Sequence, residues 1–503
     1  MFTQLFSNTV SRYPDQVAIT WKKENLTWRQ LEASVKSVAG GLRQRDVRKG
    51  DNVALILDNT PAFIIAFLAS IRLGAPVILI NKSIQSAELL QIISNIAIKV
   101  MICEKAHVPA CRDVLNRVRN ETLLLVNGGN LPDEETDFSS LMTSGDSAEW
   151  QPCDADDALV IQYSSGSTGR SKSLTRSHAM CVAEANNHRI SLEIDASDSI
   201  FCTAPLFHCY AMGNCFFPSV ATGARLILFS DASPFSLYRK QCLALIEQEK
   251  PSILVTVPYI CAQLADIPEE YDLSSIRIAT TAGTALSREI FNQFLMKYNI
   301  PLRQLYGCTE AGVIAVNLEK DVESTMSTVG EPIRGVSINI VDEQRQPVPA
   351  GTTGEVAIST EAMTRGYHGL PELNHRVFRD GFFYTGDLGW LDEDEAGRLT
   401  LTGRKTKFIE VHGHKVDPVE VEAVLFDHPS VDDVVVVGVS ASAEDRSVER
   451  VKAVVVCRQS CDRQELIDWC RARLHNFKVP GLVQFVDEIP RNPMGKVLRK
   501  FLV

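Results

Sequence analysis

The segment DDALVIQYSSGSTGRSKS, residues 156–173, joins an apolar run to a loop crowded with glycine and hydroxyl side chains. The run ending at Tyr163 has the pattern of a buried strand. Beyond it, Ser164, Ser165, Ser167 and Thr168 alternate with Gly166 and Gly169, and Lys172 follows. Glycine lets a backbone approach a ligand closely, and hydroxyls beside free N–H groups suit phosphate oxygens. The spacing is not that of a nucleotide P-loop, which needs Gly, four residues, then Gly-Lys-Ser/Thr. Two readings remain open from these residues alone: a phosphate loop of another kind, or a polar hairpin.

Outward from this loop the chain alternates. VALILD (53–58), a helical stretch over 61–73, PVILIN (76–81), KVMICE (99–104) and TLLLVN (122–127) precede it. SIFCTAP (199–205), ARLILF (224–229), SILVTVP (252–258), IRIATTAG (276–283) and LRQLYG (302–307) follow. Such alternation implies βαβ units and mostly parallel sheets. From about residue 335, VSINIVDEQRQPVPAGTTGEVAIST and GRLTLTG predict short antiparallel strands joined by turns. After Arg404 a small α+β pattern takes over, with helices expected in VEVEAVLFDH and QELIDWCRARL and strands in VDDVVVVGVS and VKAVVVC. The expected division is therefore 1–404 and 405–503.

Composition narrows the class. A chain of 503 residues exceeds one compact core. Hydrophobic content of 45% and charged content of 22% are ordinary for a globular protein. A net charge of −11 argues against a general nucleic-acid surface. The first residues lack a basic start followed by an apolar run. The most apolar region, 60–80, is broken by Arg72, Gly74 and Pro76 and predicts a buried helix and strand rather than a membrane span. Thirteen scattered cysteines without a CxxC pair fit a reduced, cytoplasmic chain. Cys202, His208, Cys209 and Cys215 cluster, but their spacing matches no usual zinc site.

Seven motifs stand in a fixed order: YSSGSTGRSK (163–172), PLFHCYAMG (205–213), TTAGTAL (280–286), YGCTEAG (306–312), GFFYTGDLG (381–389), GRKTKFIEVHGHKVDPVEVE (403–422) and PRNPMGK (490–496). Together they resemble the acyl-adenylate-forming (ANL) superfamily, which includes acyl- and aryl-CoA synthetases, adenylation domains and beetle luciferases. The resemblance implies an α/β fold. A large N-terminal region of βαβ subdomains and a small β-barrel-like subdomain would precede a small mobile α+β C-terminal domain. It also implies an ATP- and Mg²⁺-dependent ligase. A carboxylate attacks the α-phosphate, pyrophosphate leaves, and a thiol takes the acyl group from the adenylate. CoA is the expected thiol, with the phosphopantetheine of an acyl carrier protein as the alternative. An inactive nucleotide-binding paralogue is the alternative of another class.

Residue roles follow from the same resemblance. Ser164 to Gly169, with Thr168 catalytic and Lys172 near, would wrap the β- and γ-phosphates. Ala282, Gly283 and Thr284 would lie under the adenine, Tyr306 and Gly307 at its border. A threonine hydroxyl can meet the α-phosphate and a carboxylate can hold Mg²⁺, roles implied for Thr309 and Glu310; from the residues alone, Thr-Glu before Ala-Gly predicts a helix start. Asp387 would read the ribose diol, joined by Arg404. Lys496 would bridge carboxylate and α-phosphate in the adenylation transition state. His208, Tyr210, Met212 and Gly213 would line the acyl site, with His208 near the carboxylate. Gly413 would make room for a pantetheine arm, and Thr406 would be the hinge. No acidic residue occurs from 201 to 229, which disfavours an α-amino acid substrate. The chain departs from the family in two places: Arg170-Ser171-Lys172-Ser173 replaces the usual x-Pro-Lys-Gly, and Thr406 stands where Asp or Lys is usual.

Overall fold

The computed structural model describes residues 1–503 apart from 83, 85, 119–121, 129–135, 144–146, 165–171, 230–234, 394–396, 406–408, 412–413, 441–448, 493–496 and 503. The fold is α/β, as the alternation predicts. Two large sheets form the first lobe. One runs Thr136–Asp137, Leu123–Asn127, Val100–Glu104, Val53–Ile56, Val77–Leu79, Ala158–Ser164, Lys172–Ser177. Its neighbours are parallel except for the last pair, Ala158–Ser164 with Lys172–Ser177, which is antiparallel. The 165–171 segment thus connects two adjacent strands, with Ser164 opposite Lys172.

The second sheet has nine strands. Ser199–Cys202, Arg225–Leu228, Ile253–Thr256 and Ile278–Thr281 form its parallel centre. The apolar helix Pro61–Arg72 is buried along nearly its whole length, with proline at its first turn where no N–H is needed. Both sheets contribute to one continuous core with this helix: Val53 and Val160 from one, Phe201 and Leu254 from the other, Phe63 and Phe67 between. Burying the helix on all sides explains its unbroken apolarity.

A five-stranded antiparallel sheet follows, from Val336–Val341 through Gly354–Thr360 and Phe382–Leu391 to Leu399–Arg404. It curls as a half-barrel over its own core of Ile338, Ile358 and Phe383. The C-terminal domain has a separate core of Val421, Leu425, Val436, Val455 and Leu466. Helices Pro418–Phe426 and Arg463–Arg471 pack there on strands Val431–Ser440, Glu449–Cys457 and Leu482–Phe485. Among the described residues no helix is long and apolar enough to cross a membrane.

Candidate active site

The expected helix start at Thr309 is a β-hairpin instead. Leu302–Cys308 turns back as Gly312–Val316, with Cys308 opposite Gly312. The turn holds Thr309 and Glu310 where these two strands end. Gly312 has φ of +74°, a left-handed conformation that costs glycine little. That reversal cuts the helix off before its first turn.

Two groups of side chains meet along this hairpin. At its base, the Tyr306 hydroxyl donates to Asp387 Oδ2 at 2.6 Å. Asp387 and Arg404 face each other across paired strands, and Arg404 Nε donates to Asp387 Oδ1. Burial opposes the guanidinium charge, but Asp387 outweighs it and the Arg404 pKa rises. Burial, then the neighbouring carboxylate, holds the Tyr306 phenol well above its usual pKa, so it stays a donor. Gly386 and Asp387 lie within strand Phe382–Leu391, and Glu355 braces it there: its Oε1 accepts from Gly386 N at 3.1 Å and its Oε2 lies 3.1 Å from Lys405 Nζ.

At the tip, Glu310 Oε1 accepts from the Tyr367 hydroxyl at 2.6 Å. Burial and the Glu310 charge raise the Tyr367 pKa, which keeps that donor protonated. Lys172 Nζ sits 5.1 Å from the centre of the Tyr367 ring, within cation–π range. The 364–368 segment is pinned beside the loop's second strand: His368 N donates to Ser173 O at 2.9 Å, and Thr175 Oγ1 meets His368 Nε2 at 2.7 Å. On the other flank, Thr309 Oγ1 lies 3.4 Å from Cys209 Sγ. Burial pushes the Cys209 thiol up to about 11, so it is no thiolate nucleophile at neutral pH.

His208 begins the short helix Cys209–Ala211, and its Nδ1 accepts from Tyr210 N at 3.2 Å. That role places the proton of the neutral ring on Nε2. The chain then runs through one π turn, Met212–Phe216, into Phe217–Thr222. Tyr210 and Met212 are buried, and the Tyr210 hydroxyl donates to Thr256 O at 2.9 Å. Gly213 packs directly against Glu184: a Cβ there would come 2.1 Å from Glu184 Oε1. Ala282, Gly283 and Thr284 form the bend after strand Ile278–Thr281.

Glu184 is a residue that motif reasoning misses. It forms a fully buried ion pair with Arg176, 2.6 Å apart. Its Oε1 accepts from Val313 N at 3.3 Å, and Arg176 Nη2 donates to Ala362 O at 3.1 Å. One pair therefore joins strand Lys172–Ser177 and helix His178–Ser191 to the Thr309–Glu310 hairpin through Val313 and to the chain at Ala362. Tyr367, in TRGYHG, is likewise outside the motifs. A glycine flanked by aromatic and polar residues was the available signal there; nothing local marks Glu184.

Ser165, Gly166, Ser167, Thr168, Gly169, Thr406, Gly413 and Lys496 lie outside the described residues, as does the side chain of Ser164. Among the described residues no group of three or more His, Cys, Asp or Glu could hold a metal. Glu310 is a single buried carboxylate with Oε1 engaged by Tyr367. That suits Mg²⁺, which is held by one or two carboxylates together with substrate phosphates and water. A cavity of about 570 Å³ lined by Asp156, Ser177, Met180, Arg365 and Phe382 contains none of the candidate site residues.

The AMP-binding enzyme family matches residues 6–368, and its C-terminal domain matches 420–496. The chain belongs to the AMP-binding enzyme family. Among AMP-binding relatives, a feruloyl-CoA synthase of Amycolatopsis sp is 30% identical over 97% of this chain and 95% of its own. A 4-coumarate–CoA ligase of Nicotiana tabacum is 29% identical over 95% and 89%. A benzoate CoA ligase from Burkholderia xenovorans LB400 superposes with a TM-score of 0.86 at 25% identity, covering 100% of this chain and 99% of that one. The ATP-bound MatB of Rhodopseudomonas palustris gives 0.87 at 25% identity over 100% and 98%. AMP-binding architecture thus extends over the whole chain, small C-terminal domain included.

Proposed function

We propose that this protein is an AMP-forming carboxylate–CoA ligase acting on an aryl carboxylic acid. The observation that carries the reading is the convergence of Asp387 and Arg404 on Tyr306, of Tyr367 on Glu310, and of Cys209, next to His208, on Thr309, along one hairpin. Whole-length relatives that are hydroxycinnamate CoA ligases support the acid class.

In this reading Asp387 exchanges Arg404 and Tyr306 for the ribose hydroxyls, as a carboxylate with two acceptor oxygens can. Thr309 donates to the α-phosphate. Glu310, held in orientation by Tyr367, together with the nucleotide phosphates would bind Mg²⁺, which when bound neutralises phosphate charge. Lys172 and the 164–169 loop carry the β- and γ-phosphates. His208, with its proton on Nε2, lies beside the carboxylate and closes the acyl site. The carboxylate oxygen attacks the α-phosphorus, pyrophosphate leaves, and Lys496 neutralises the developing charge. The CoA thiol then attacks the acyl carbonyl and AMP leaves. The two halves alternate by rotation of 405–503 about Thr406, with Gly413 admitting the pantetheine arm. The protein works in the cytoplasm.

The test is pyrophosphate release with a panel of aliphatic, aromatic and amino acids, with and without CoA. Hydroxycinnamates and benzoates should turn over with CoA, and amino acids should not. Adenylate without CoA turnover would point to a carrier-protein acceptor. No release with any acid would overturn the reading.

A further inference from the structure

All thirteen cysteines are free thiols. Two close pairs, Cys103 with Cys111 and Cys202 with Cys215, are sealed in cores at 0% exposure. A third pair differs. Cys457 Sγ and Cys461 Sγ lie 3.2 Å apart, and both residues are partly exposed. Cys457 ends the strand Glu449–Cys457, and Cys461 precedes the helix Arg463–Arg471. Burial, then the neighbouring sulfur, pushes the Cys461 thiol up to about 12, so Cys461 keeps its proton at neutral pH.

Two of the three residues between them make side-chain contacts. Arg458 Nε donates to Asp432 Oδ1 at 3.0 Å, and Arg458 Nη2 lies 3.5 Å from Glu289 Oε1. Glu289 belongs to the helix Arg288–Tyr298 of the large lobe, so this guanidinium links that lobe to the C-terminal domain. Gln459 Nε2 donates to Ser430 Oγ at 3.2 Å. A disulfide requires sulfurs about 2.05 Å apart, so closing the pair draws this loop in by about 1 Å.

We propose that Cys457 and Cys461 form a redox modification site, closed by a small-molecule disulfide such as glutathione disulfide, and that closure displaces the Arg458 contact between the domains. The Cys457 thiolate attacks one sulfur of glutathione disulfide and expels one glutathione thiolate. Cys461, losing its proton to solvent, attacks the mixed disulfide at Cys457 and expels the second. Two protein S–H bonds are lost and one S–S bond is made, and the two electrons reduce glutathione disulfide to two thiols.

The experiment incubates the full-length protein with glutathione disulfide and follows intact mass and peptide maps. A loss of two hydrogens, about 2 Da, mapped to 457–461, reversed by dithiothreitol and abolished in Cys457→Ser and Cys461→Ser, is the expected result. Stable mixed disulfides at Cys457, or oxidation confined to Cys153, Cys209 or Cys308, would overturn the site. In the second arm, CoA turnover of oxidised protein should change at least twofold, and Cys457→Ser should be insensitive. Unchanged turnover in fully closed protein would overturn the effect on the domain contact. That arm rests on the ligase reading; reduced protein without turnover fails that reading while the mass result still decides the site.

Discussion

Two arginine–carboxylate pairs flank the site, and they differ in what surrounds them. Arg176 and Glu184 are each 1% exposed in their side chains, while Arg404 and Asp387 are 35% and 11% exposed. In the sealed pair, neither charge can reach water or a ligand, so the partners are bound to each other permanently. Burial opposes the Arg176 charge and Glu184 more than restores it, raising its pKa. In the open pair, a ligand hydroxyl can replace either partner at low cost. The same chemistry thus makes a rivet in one place and, in the proposed reading, a receptor in the other. Solvent access decides which.

The largest effect should come from removing one half of the rivet. Glu184→Leu leaves the Arg176 guanidinium buried without its counter-charge, which typically costs about 3–5 kcal/mol. Urea unfolding should show that loss. The double variant Arg176→Met with Glu184→Leu should recover most of it, because an apolar pair of similar volume avoids the desolvation cost. A single variant as stable as the parent would break the comparison at its sealed end.

Acid tests the same sealed helix by another route. His188, on the helix His178–Ser191 with Glu184, is fully buried, and burial lowers its pKa to about 4. The unfolded chain protonates near 6.5 while the folded one resists, so the folded form loses stability as pH falls between them. The stabilisation is complete above pH 6.5, and about 3 kcal/mol is lost by pH 4. Urea midpoints should fall from pH 7 to pH 5 and fall less in His188→Asn. An identical slope in the variant would assign the acid sensitivity elsewhere.

The open pair should behave oppositely. Asp387→Asn removes a charged acceptor that a ligand would use, worth about 1.5–3 kcal/mol, or roughly ten- to a hundredfold in ATP affinity. Stability should change less than in Glu184→Leu, since the asparagine keeps an acceptor oxygen for Tyr306 or Arg404 and Arg404 retains access to solvent. Calorimetric ATP titration beside urea unfolding separates the two. A large stability loss with ATP binding intact would make Asp387 a rivet as well.

The same division explains what the sequence reveals. The alternating apolar runs around DDALVIQY predict the parallel sheets because burial on both faces is a local property of each strand. Asp387 and Arg404 are legible because each sits in a short motif whose spacing a strand end or turn constrains. Glu184 is not legible. It lies in an ordinary helical stretch, and its meaning comes from Gly213, Gly312 and Val313, which only folding brings near. The hairpin at Thr309 was concealed for a similar reason: helix propensity is local, whereas pairing of Gly312–Val316 with Leu302–Cys308 is settled by the sheet. Receptor groups lie on short local patterns, and the rivets behind them lie on long-range packing.

The weakest expected effect marks the far end of the exposure scale. Lys405 and Glu355 pair at 3.1 Å with side chains 44% and 13% exposed. Glu355 does not depend on that lysine for its place, because Oε1 also accepts from Gly386 N beside Asp387. Lys405→Ala should therefore cost about 0.2–1 kcal/mol, and the cost should shrink further as salt screens the pair. Glu355→Ala should cost more, since the Gly386 N–H loses its acceptor and the strand beside Asp387 loosens. Urea unfolding of both variants at low and high salt measures the gap. If Lys405→Ala matched Glu355→Ala and neither responded to salt, solvent exposure would not be what ranks these pairs, and the contrast between rivet and receptor would need another physical basis.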